Sequence, residues 1–564
     1  MKTLKPLSIV ASIMILQAMS FQTSAGEKEE LLKLRSTTEG LIKRLVKQGI
    51  LSQADAQEML QQAEAESQSI ATKQTTNQPD NPDEVRVTYV PDFIKDEIRD
   101  EVRAELRQDV TGDVISKAKD EGWGLPDALP EWTRKFKLSG DIRLRSENVN
   151  MPSDNVTTPF YLNPQAINQS GGFTDAGLDA FQNTTEDNHR FRERFRLGIN
   201  ADVAEGVKAG VRLSTGDIRE PVSTNQTLGR TGSRYEFAVD RAYLEYDAKD
   251  AQGFNWLTLA GGRIQNPFYV GGGEFTSGSE LVWDTDLSFE GFYATGRYNL
   301  GNGNTLGDKT RMLYATAGAF PLQEAPFSNN DKWLLGGQLG LAWGFENKDS
   351  LNVGVAYYDY QKIRADQNQT PSGTCDLNSR QNDASMPEFM QYGNTLATIC
   401  REGTPGDAST FPGMLGLAGD YGIFNVTARY DMAFFDPIHL TLSMDYAENV
   451  GFDAASASAL SGAPVDAQTS AWQLRADLGW LRVDRKGNWS TFVAYKYIGR
   501  DAVLDAFNDS DFHLGGTNAK GWILGANYAL LNNVWLTSRW LTTDVIDGPN
   551  WGIDVFQFDV NTKF

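Results

Sequence analysis

The chain has 564 residues, with 52 Lys and Arg against 74 Asp and Glu, and a formal net charge of −22. Its two Cys and three His exclude a disulfide-dense module and a Cys/His metal scaffold, and nothing in the sequence indicates a cofactor. The acidic balance excludes nucleic acid as the main partner, because phosphate binding needs a basic face. No segment after residue 25 approaches the ~20 apolar residues of a membrane-spanning helix, so a membrane location requires a β-barrel.

Residues 1–25 have the pattern of a secretory signal peptide. Lys2 and Lys5 form a short basic start, an apolar run follows from Leu7 to Leu16, and small residues precede a cleavage site near Ala25. A short buried helix is the alternative interpretation. Export would place the two cysteines in an oxidising compartment.

Residues 26–133 have helical periodicity and many charges. We expect a helical, coiled-coil segment at 26–66, a Pro-containing linker at 67–91, and a charged helix followed by a linker at 92–133. The narrow apolar seams of the two helices are Leu31, Leu34, Thr38, Leu41 and Leu45, and Ile94, Ile98, Val102, Leu106 and Val110. These seams fit either association between subunits in the periplasm or solvated helices that pack on their own barrel.

Residues 134–564 predict an all-β transmembrane barrel. Apolar and polar residues alternate with a period of two, as Leu138, Ile142 and Leu144 do with Asp141 and Arg143. Such alternation indicates strands with one apolar and one polar face. Because a soluble sheet gives the same pattern, the lengths of the connections have to distinguish the two folds.

The pattern predicts about sixteen antiparallel strands, the last of which closes the barrel at residue 564. They lie near 134–147, 189–203, 206–218, 234–248, 254–266, 288–299, 309–320, 331–346, 350–361, 420–433, 437–449, 469–484, 488–499, 519–531, 533–545 and 551–564. Long and short connections alternate, which is typical of bacterial outer-membrane barrels. An even strand number returns both ends to one side, which fits a periplasmic N-terminal segment.

Aromatic residues support an outer-membrane location in contact with lipid. All thirteen tryptophans except Trp123 and Trp132 lie after residue 133, many near strand ends, where rings sit at the headgroup level. The final strand places Phe556, Phe558 and Phe564 on one face. This ending resembles the signal that the barrel assembly machinery recognises in outer-membrane proteins. The alternative interpretation is that this C-terminal segment is only the end of an edge strand.

Two motifs, GRIQNPF (262–268) and LVWDTDLSFEG (281–291), together resemble the bacterial "putative porin" family, which is similar to the phosphate-selective and general porins. The resemblance extends over about 130–564 and includes RAYLEY (241–246). It implies an outer-membrane diffusion channel, a trimeric homo-oligomer by analogy, and a third long loop that folds into the lumen. It implies no particular substrate.

The polar faces of the first strands predict a basic pore wall. Its members are Lys137, Arg143, Arg145, Arg190, Arg192, Arg194, Arg196, Lys208 and Arg212. The third long loop, 267–287, supplies the acidic residues Glu274, Glu280, Asp284 and Asp286. An acidic constriction loop facing a basic wall would favour anions. Alternatively, the charges pair and only stiffen the barrel, and both situations can coexist.

No catalytic set is evident, since His189, His439 and His513 lie on separate segments, and the chain is not expected to be an enzyme. The leading hypothesis is a passive porin for small hydrophilic solutes or ions. A structural or adhesive barrel, tethered through its N-terminal helices, is the alternative. A sugar-specific channel would need aromatic residues in the lumen, whereas most Tyr and Trp fall on predicted outward faces.

Cys375 and Cys400 share the longest loop and are predicted to form a disulfide, with free thiols as the alternative. The bond would stabilise the loop by about 3 kcal/mol by restricting the unfolded chain. We expect that neither thiol reacts with a maleimide in the unreduced mature protein, and that Cys375→Ser leaves channel activity intact. Stoichiometric labelling of both cysteines would contradict the disulfide.

Overall fold

The computed structural model describes residues 135–564, apart from residues 274, 277, 302–310, 327–328, 373–378 and 400–412. The predicted segments 1–25, 26–66, 67–91 and 92–133 lie outside the described residues, as do Glu274, Cys375 and Cys400. In the part that is described, no helix is both long and apolar enough to cross a bilayer.

Sixteen long antiparallel strands of the described region form one closed barrel. They are β1 (Phe136–Asn150), β2 (Asn188–Ala204), β3 (Val207–Ser214), β5 (Ala238–Lys249), β6 (Asn255–Gln265), β7 (Ser288–Asn299), β8 (Arg311–Gln323), β9 (Lys332–Gly344), β10 (Ser350–Gln361), β13 (Tyr421–Phe435), β14 (Ile438–Asn449), β15 (Ser470–Gly479), β16 (Trp489–Ile498), β17 (Ala519–Leu531), β18 (Val534–Val545) and β19 (Gly552–Lys563). The predicted fold class and strand number are confirmed.

Short elements occupy the connections. They are the strands β4 (Gln226–Thr227), β11 (Leu396–Thr398) and β12 (Leu415–Leu417), the helices α1 (Pro164–Ser170), α2 (Phe173–Ala176) and α3 (Ala454–Ser461), and the 3₁₀ turns Gly177–Ala180, Asp383–Ser385 and Phe512–Leu514. β4 pairs with β2, whereas β11 and β12 pair only with each other.

The barrel closes by pairing its first strand with its last. β1 and β19 are antiparallel from Asp141↔Lys563 to Asn150↔Asp554. Gly140 and Phe564 add two backbone hydrogen bonds of 2.9 Å each. Closure leaves no long strand with an unpaired edge, which is the condition for a sheet to cross hydrocarbon.

Apolar side chains point outward and polar side chains point into the lumen. On β1, Leu138 and Leu144 are 65% and 52% exposed, whereas Arg145 and Glu147 are 2% and 1% exposed. An Arg facing lipid at the bilayer midplane would cost roughly 2–4 kcal/mol. The alternation in the sequence therefore determines which face of each strand lines the pore.

Connections alternate in length around the barrel. Tight turns such as 205–206, 436–437 and 532–533 lie at one end, the short-turn end, and the loops 151–187, 215–237, 266–287, 362–420 and 499–518 lie at the other, the long-loop end. β3 ends at Ser214 and β15 at Gly479, before the predicted ends at 218 and 484, and a glycine with positive φ lies at each end: Gly216 with φ 123° and Gly479 with φ 139°.

Residues 266–287, which we call the inserted loop, fold inside the barrel. The ring of Phe275 contacts that of Trp535 on β18 at 5.3 Å between centroids, and Ser279 donates a hydrogen bond to Asp445 on β14. Asp284 N donates to Phe507 O at 2.7 Å in the loop 499–518. The inserted loop thus crosses the lumen and contacts the inner faces of distant strands.

An apolar cluster lies inside the long-loop end of the barrel. Trp283 of the inserted loop is 2% exposed and contacts Phe289 on β7 and Tyr358 on β10 at centroid distances of 4.9 and 5.0 Å. Leu504 and Phe512, from the loop 499–518, are also buried in this cluster. Loops at this end therefore pack against the strand interior like the core of a soluble protein.

Asp286 holds the end of the inserted loop against the barrel wall. Its carboxylate accepts hydrogen bonds from Arg196 at 3.1 Å and from Thr224 Oγ1 at 3.0 Å, and Arg194 lies 3.7 Å away. Burial alone would raise the pKa of Asp286, but Arg194 and Arg196 hold it well below its ordinary value. The ionised carboxylate therefore stabilises the folded state at neutral pH.

A closed barrel of this kind should resist detergent. We expect the mature protein, recovered from outer-membrane fractions, to migrate faster in a gel before heating than after heating. A single mobility at all temperatures, or recovery from the soluble periplasm, would contradict the barrel.

Asp286→Asn should lower the temperature at which the fast-migrating form is lost, because two buried guanidinium groups lose a charged partner at a cost of about 3 kcal/mol. Glu290→Gln is the matched control, since its pair with Arg263 is solvent-exposed and contributes about 1 kcal/mol or less. The Asp286→Asn deficit should persist at neutral pH and shrink only below about pH 4, as the wild-type carboxylate itself protonates. Equal melting of both variants at pH 7 would show that Asp286 does not anchor the loop.

Candidate functional site: the barrel lumen

The two sequence motifs flank the inserted loop and meet at its base. Arg263 on β6 forms an ion pair of 2.5 Å with Glu290 on β7, and the two residues are register partners. Phe268 packs on Phe289 and Tyr358 with centroid distances of 6.3 and 5.0 Å. The packing of Phe268 on Phe289 and Tyr358 therefore joins the entry of the loop to its exit, whereas the solvent-exposed pair of Arg263 with Glu290 adds little.

The loop 499–518 meets the basic wall at Arg145. Its guanidinium is 1% exposed and donates hydrogen bonds to Asp559 at 2.8 and 3.0 Å and to Asp511 at 3.2 Å. Asp511 also pairs with Arg539 of β18. Burial alone would raise the pKa of Asp511, but Arg145 and Arg539 hold it well below its ordinary value.

All nine predicted wall residues lie on the inner faces of β1, β2 and β3, and each is near a carboxylate. Arg194 and Arg196 both contact Asp141 at 2.8 Å. The remaining pairs are Lys137–Asp202 at 3.5 Å, Arg143–Asp559 at 3.7 Å, Arg190–Glu147 at 2.5 Å, Arg192–Glu147 at 3.9 Å, Lys208–Glu245 at 3.2 Å, Lys208–Asp247 at 2.5 Å and Arg212–Asp240. The wall is basic, but much of its charge is locally compensated.

The predicted acidic residues of the loop have different surroundings. Of the three described acids, only Asp286 contacts the wall arginines; Glu280 accepts a hydrogen bond from Thr285 Oγ1 at 2.7 Å, and Asp284 accepts one from Ser510 N at 3.0 Å. Burial raises the pKa of Asp284 well above its ordinary value, with Glu280 and Asp286 adding to the shift. Burial and the nearby Asp509 also raise the pKa of Glu280. Both carboxyl groups therefore take up a proton more readily than an ordinary Asp or Glu.

Sequence analysis missed lumen cations on later strands. Arg475, Arg539, Arg241, Arg297 and Arg429 point inward from β15, β18, β5, β7 and β13. Arg475 pairs with Asp477 at 2.6 Å, but within the described part of the chain no carboxylate lies at ion-pair distance from Arg297 or Arg429. The available signal was alternation, which is weak near 254–299, where glycines replace apolar residues on the outer face.

The three histidines have structural contacts. His513 is 2% exposed, lies 3.0 Å from Thr543 Oγ1, and burial lowers its pKa to about 3. His439 lies 2.8 Å from Asp431, and His189 lies 3.2 Å from Ser146. Across the described ranges, no group of three or more His, Cys, Asp or Glu residues is arranged to hold a metal ion.

Comparison with solved structures returns outer-membrane proteins at low identity. The channel DcaP of Acinetobacter baumannii is 12% identical, with 76% of this chain and 97% of that one covered and a TM-score of 0.38. OprB of Pseudomonas putida at high pH is 12% identical, with 77% and 95% covered and a TM-score of 0.42. OmpT of Vibrio cholerae, folded in vitro and in its trimer form, is 10% identical, with 76% and 99% covered and a TM-score of 0.37.

Curated protein sequences provide no match to the chain. The family model described as "Putative porin", however, matches residues 35–564. The match includes every strand of the barrel and both motifs around the inserted loop. The chain therefore belongs to the "Putative porin" family and is an outer-membrane porin.

Proposed function

We propose that the barrel is a passive diffusion channel for small hydrophilic solutes and ions, and that it favours anions. The observation that carries this proposal is a lumen cavity of about 1,020 Å³ with mainly basic charged groups. Nine cations line it, Arg143, Arg145, Arg194, Arg196, Arg212, Arg241, Arg475, Arg539 and Lys563, against seven acids, Asp141, Glu280, Asp284, Asp286, Asp509, Asp511 and Asp559.

The charge balance of this cavity supports anion preference. Among the lining residues, nine cations and seven acids leave a formal excess of two positive charges; two of these cations, Arg212 and Arg475, also pair with Asp240 and Asp477, which lie outside the lining. Protonation of Glu280 and Asp284, whose pKa values are raised, adds to the positive charge of the cavity. The negative charge of the whole chain matters less, because charges beyond about 10 Å are screened at 0.1 M salt. Charges inside a narrow cavity with low-dielectric walls act more strongly on a passing ion.

Arg297 and Arg429 are the cations best placed to act on solutes. Paired arginines, such as Arg194 and Arg196, have their fields partly cancelled by Asp141 and Asp286. Within the described residues, Arg297 and Arg429 have no carboxylate at ion-pair distance, so their guanidinium groups keep donors for a solute. The ion-paired arginines of the wall then stiffen the lumen, and Arg297 and Arg429 supply its selectivity.

A structural or adhesive barrel is the second candidate, and one observation favours it. The apolar cluster of Trp283, Phe289, Tyr358, Leu504 and Phe512 occupies the long-loop end of the lumen. Such packing reduces the cross-section open to solutes. Single-channel conductance in planar bilayers separates the candidates, since a filled barrel would not conduct.

The orientation and assembly of the protein are further parts of the proposal. β1 starts, and β19 ends, at the short-turn end, so the segment before residue 134 joins the barrel there. We place that end in the periplasm and the long loops outside the cell. The C-terminal strand, with Phe564 hydrogen-bonded to Gly140, is the part that the barrel assembly machinery would recognise, and a homotrimer is the proposed assembly.

The selectivity proposal predicts an anion-preferring reversal potential for wild type in a KCl gradient. Replacing Arg297 and Arg429 together by Gln should shift the reversal potential toward cations, because two lumen cations without a carboxylate partner among the described residues are lost. Replacing Arg192, Arg194 and Arg196 by Ser should also shift it, since Asp141 and Asp286 lose their partners. The control is Lys348→Gln, whose exposed side chain pairs with Asp436 at the short-turn end. A cation-selective wild type that neither lumen variant changes would contradict the proposal.

A further inference from the structure

A second cavity opens beside the main lumen cavity, between the barrel wall and the base of the inserted loop. Its volume is about 350 Å³, and it shares Arg241, Tyr243 and Tyr269 with the main cavity. Inner faces of β5, β6, β7 and β8 form its wall. We call it the tyrosine alcove after four of its lining residues, which are Tyr243, Tyr269, Tyr293 and Tyr314.

Tyrosine rings in the alcove lie against glycines of neighbouring strands. A Cβ atom added at Gly210 on β3 would collide with the ring of Tyr243, and one at Gly340 on β9 would collide with the ring of Tyr314. These rings therefore occupy the space of the missing side chains and lie along the wall. Both line the alcove and are only half-buried, so the part of each ring turned away from the glycine is available to a solute.

Hydrogen bonds hold two of these rings in place. Tyr243 donates to Asn200 Oδ1 at 3.1 Å, and Tyr314 donates to the carbonyl oxygen of Val353 at 3.3 Å. Tyr269 is held through its backbone, which exchanges two hydrogen bonds of 2.7 and 2.9 Å with the amide of Gln338. The ring surfaces are thus fixed before a solute arrives, which lowers the entropic cost of binding.

Arg297 supplies a charge that the alcove does not neutralise. Its guanidinium donates one hydrogen bond, to Thr258 Oγ1 at 2.9 Å, and no carboxylate of the described residues lies at ion-pair distance. The other charged residues of the alcove have partners: Glu245 contacts Lys208 at 3.2 Å, and Arg241 donates to Gln265 at 2.9 Å. Arg297 therefore keeps donors for an incoming anion, and a guanidinium binds a carboxylate with two parallel hydrogen bonds.

From these surroundings we infer that the tyrosine alcove binds ring-shaped solutes that carry one carboxylate. Arg297 would hold the carboxylate while the rings of Tyr293 and Tyr314 contact a face of the solute. Thr295 and Thr316, which share a hydrogen bond of 2.9 Å, and Asn266 offer further polar contacts. This inference rests on the proposed channel function, since a solute reaches the alcove through the lumen.

Aromatic acids and sugar acids share this chemistry, because each presents a flat or chair-shaped ring and a carboxylate.

The alcove also modifies the expectation that aromatic residues avoid the lumen. Most do face outward, as Tyr298 does on β7 with 69% exposure, but Tyr293 on the same strand faces inward. The two inward tyrosines proposed to contact the solute each have a glycine as a strand neighbour, Gly340 beside Tyr314 and Gly318 beside Tyr293.

The experiment measures the reduction of single-channel KCl current by four probes at equal concentration: benzoate, glucuronate, glucose and acetate. Benzoate or glucuronate should block the current more strongly than glucose, which lacks the carboxylate, and acetate, which lacks the ring. Block by benzoate alone identifies aromatic acids as the class, and block by glucuronate alone identifies sugar acids. Equal block by all four probes, or none by either ring acid, would overturn the inference.

Arg297→Gln and Tyr293→Leu should each weaken this block by roughly tenfold or more, the equivalent of one lost charged hydrogen bond or stacked ring. Arg429→Gln is the matched control, because it removes the same lumen charge outside the alcove. Tyr298→Leu controls for loss of a tyrosine from the outer face of β7. Block weakened equally by Arg429→Gln and Arg297→Gln would reduce the effect to general lumen charge and contradict the site.

Failure of the channel proposal remains distinguishable from failure of the alcove. If the purified protein does not conduct, calorimetric titration of the folded barrel in detergent with the same four probes tests the alcove alone. Heat saturable in benzoate or glucuronate, and weakened in Arg297→Gln, would support the alcove without a conducting pore. Titration without saturable heat for both acids would refute it.

Discussion

The pairing of β1 with β19 is the constraint on which the rest of the structure depends. A strand in hydrocarbon has no water to satisfy its N–H and C=O groups, so each long strand needs a neighbour on both sides. The ladder from Asp141↔Lys563 to Asn150↔Asp554 meets this need for the two terminal strands. Once the sheet is closed, period-two alternation sends apolar side chains to lipid and polar side chains inward. The crowding of charges in the lumen is therefore a consequence of closure as well as a functional feature.

Crowded charges inside the barrel organise the loops that enter it. Arg145 joins β19 to the loop 499–518 through Asp559 and Asp511, and Asp286 joins the inserted loop to β2. Removing one member of such a buried network costs more than the whole network contributes, because the remaining charge stays desolvated. The barrel interior thus divides into a charged region along β1–β3 and an apolar region of loop residues at the long-loop end.

Sequence reasoning predicted the strands well, because alternation is a local property that membrane burial enforces strictly. The segments 350–361 and 519–531 coincide with β10 and β17. The alternation also predicted a pore wall of nine basic residues, and their role in the pore stays a prediction. Partners across the lumen could not be predicted, since the contacts of Arg145 with Asp511 and of Arg194 with Asp286 join residues distant in the sequence.

Arg297 and Tyr293 were missed for a related reason: their surroundings come from β5, β8 and the inserted loop together. The residues around Cys375 and Cys400 lie outside the described structure, so their disulfide stays a prediction.

The rings that lie against glycines have a consequence for how this protein can change during evolution. Tyr314 covers Gly340, Phe268 covers Gly336 and Phe492 covers Gly525. A larger residue at any of these glycines collides with the ring, whereas loss of the ring alone uncovers a stretch of backbone and leaves a hole in the wall. Neither single replacement is favourable, although exchanging both residues at once restores the packing. We therefore expect lineages of this barrel to exchange such residues in pairs, so that the inner surface is inherited as two-residue units rather than as independent positions.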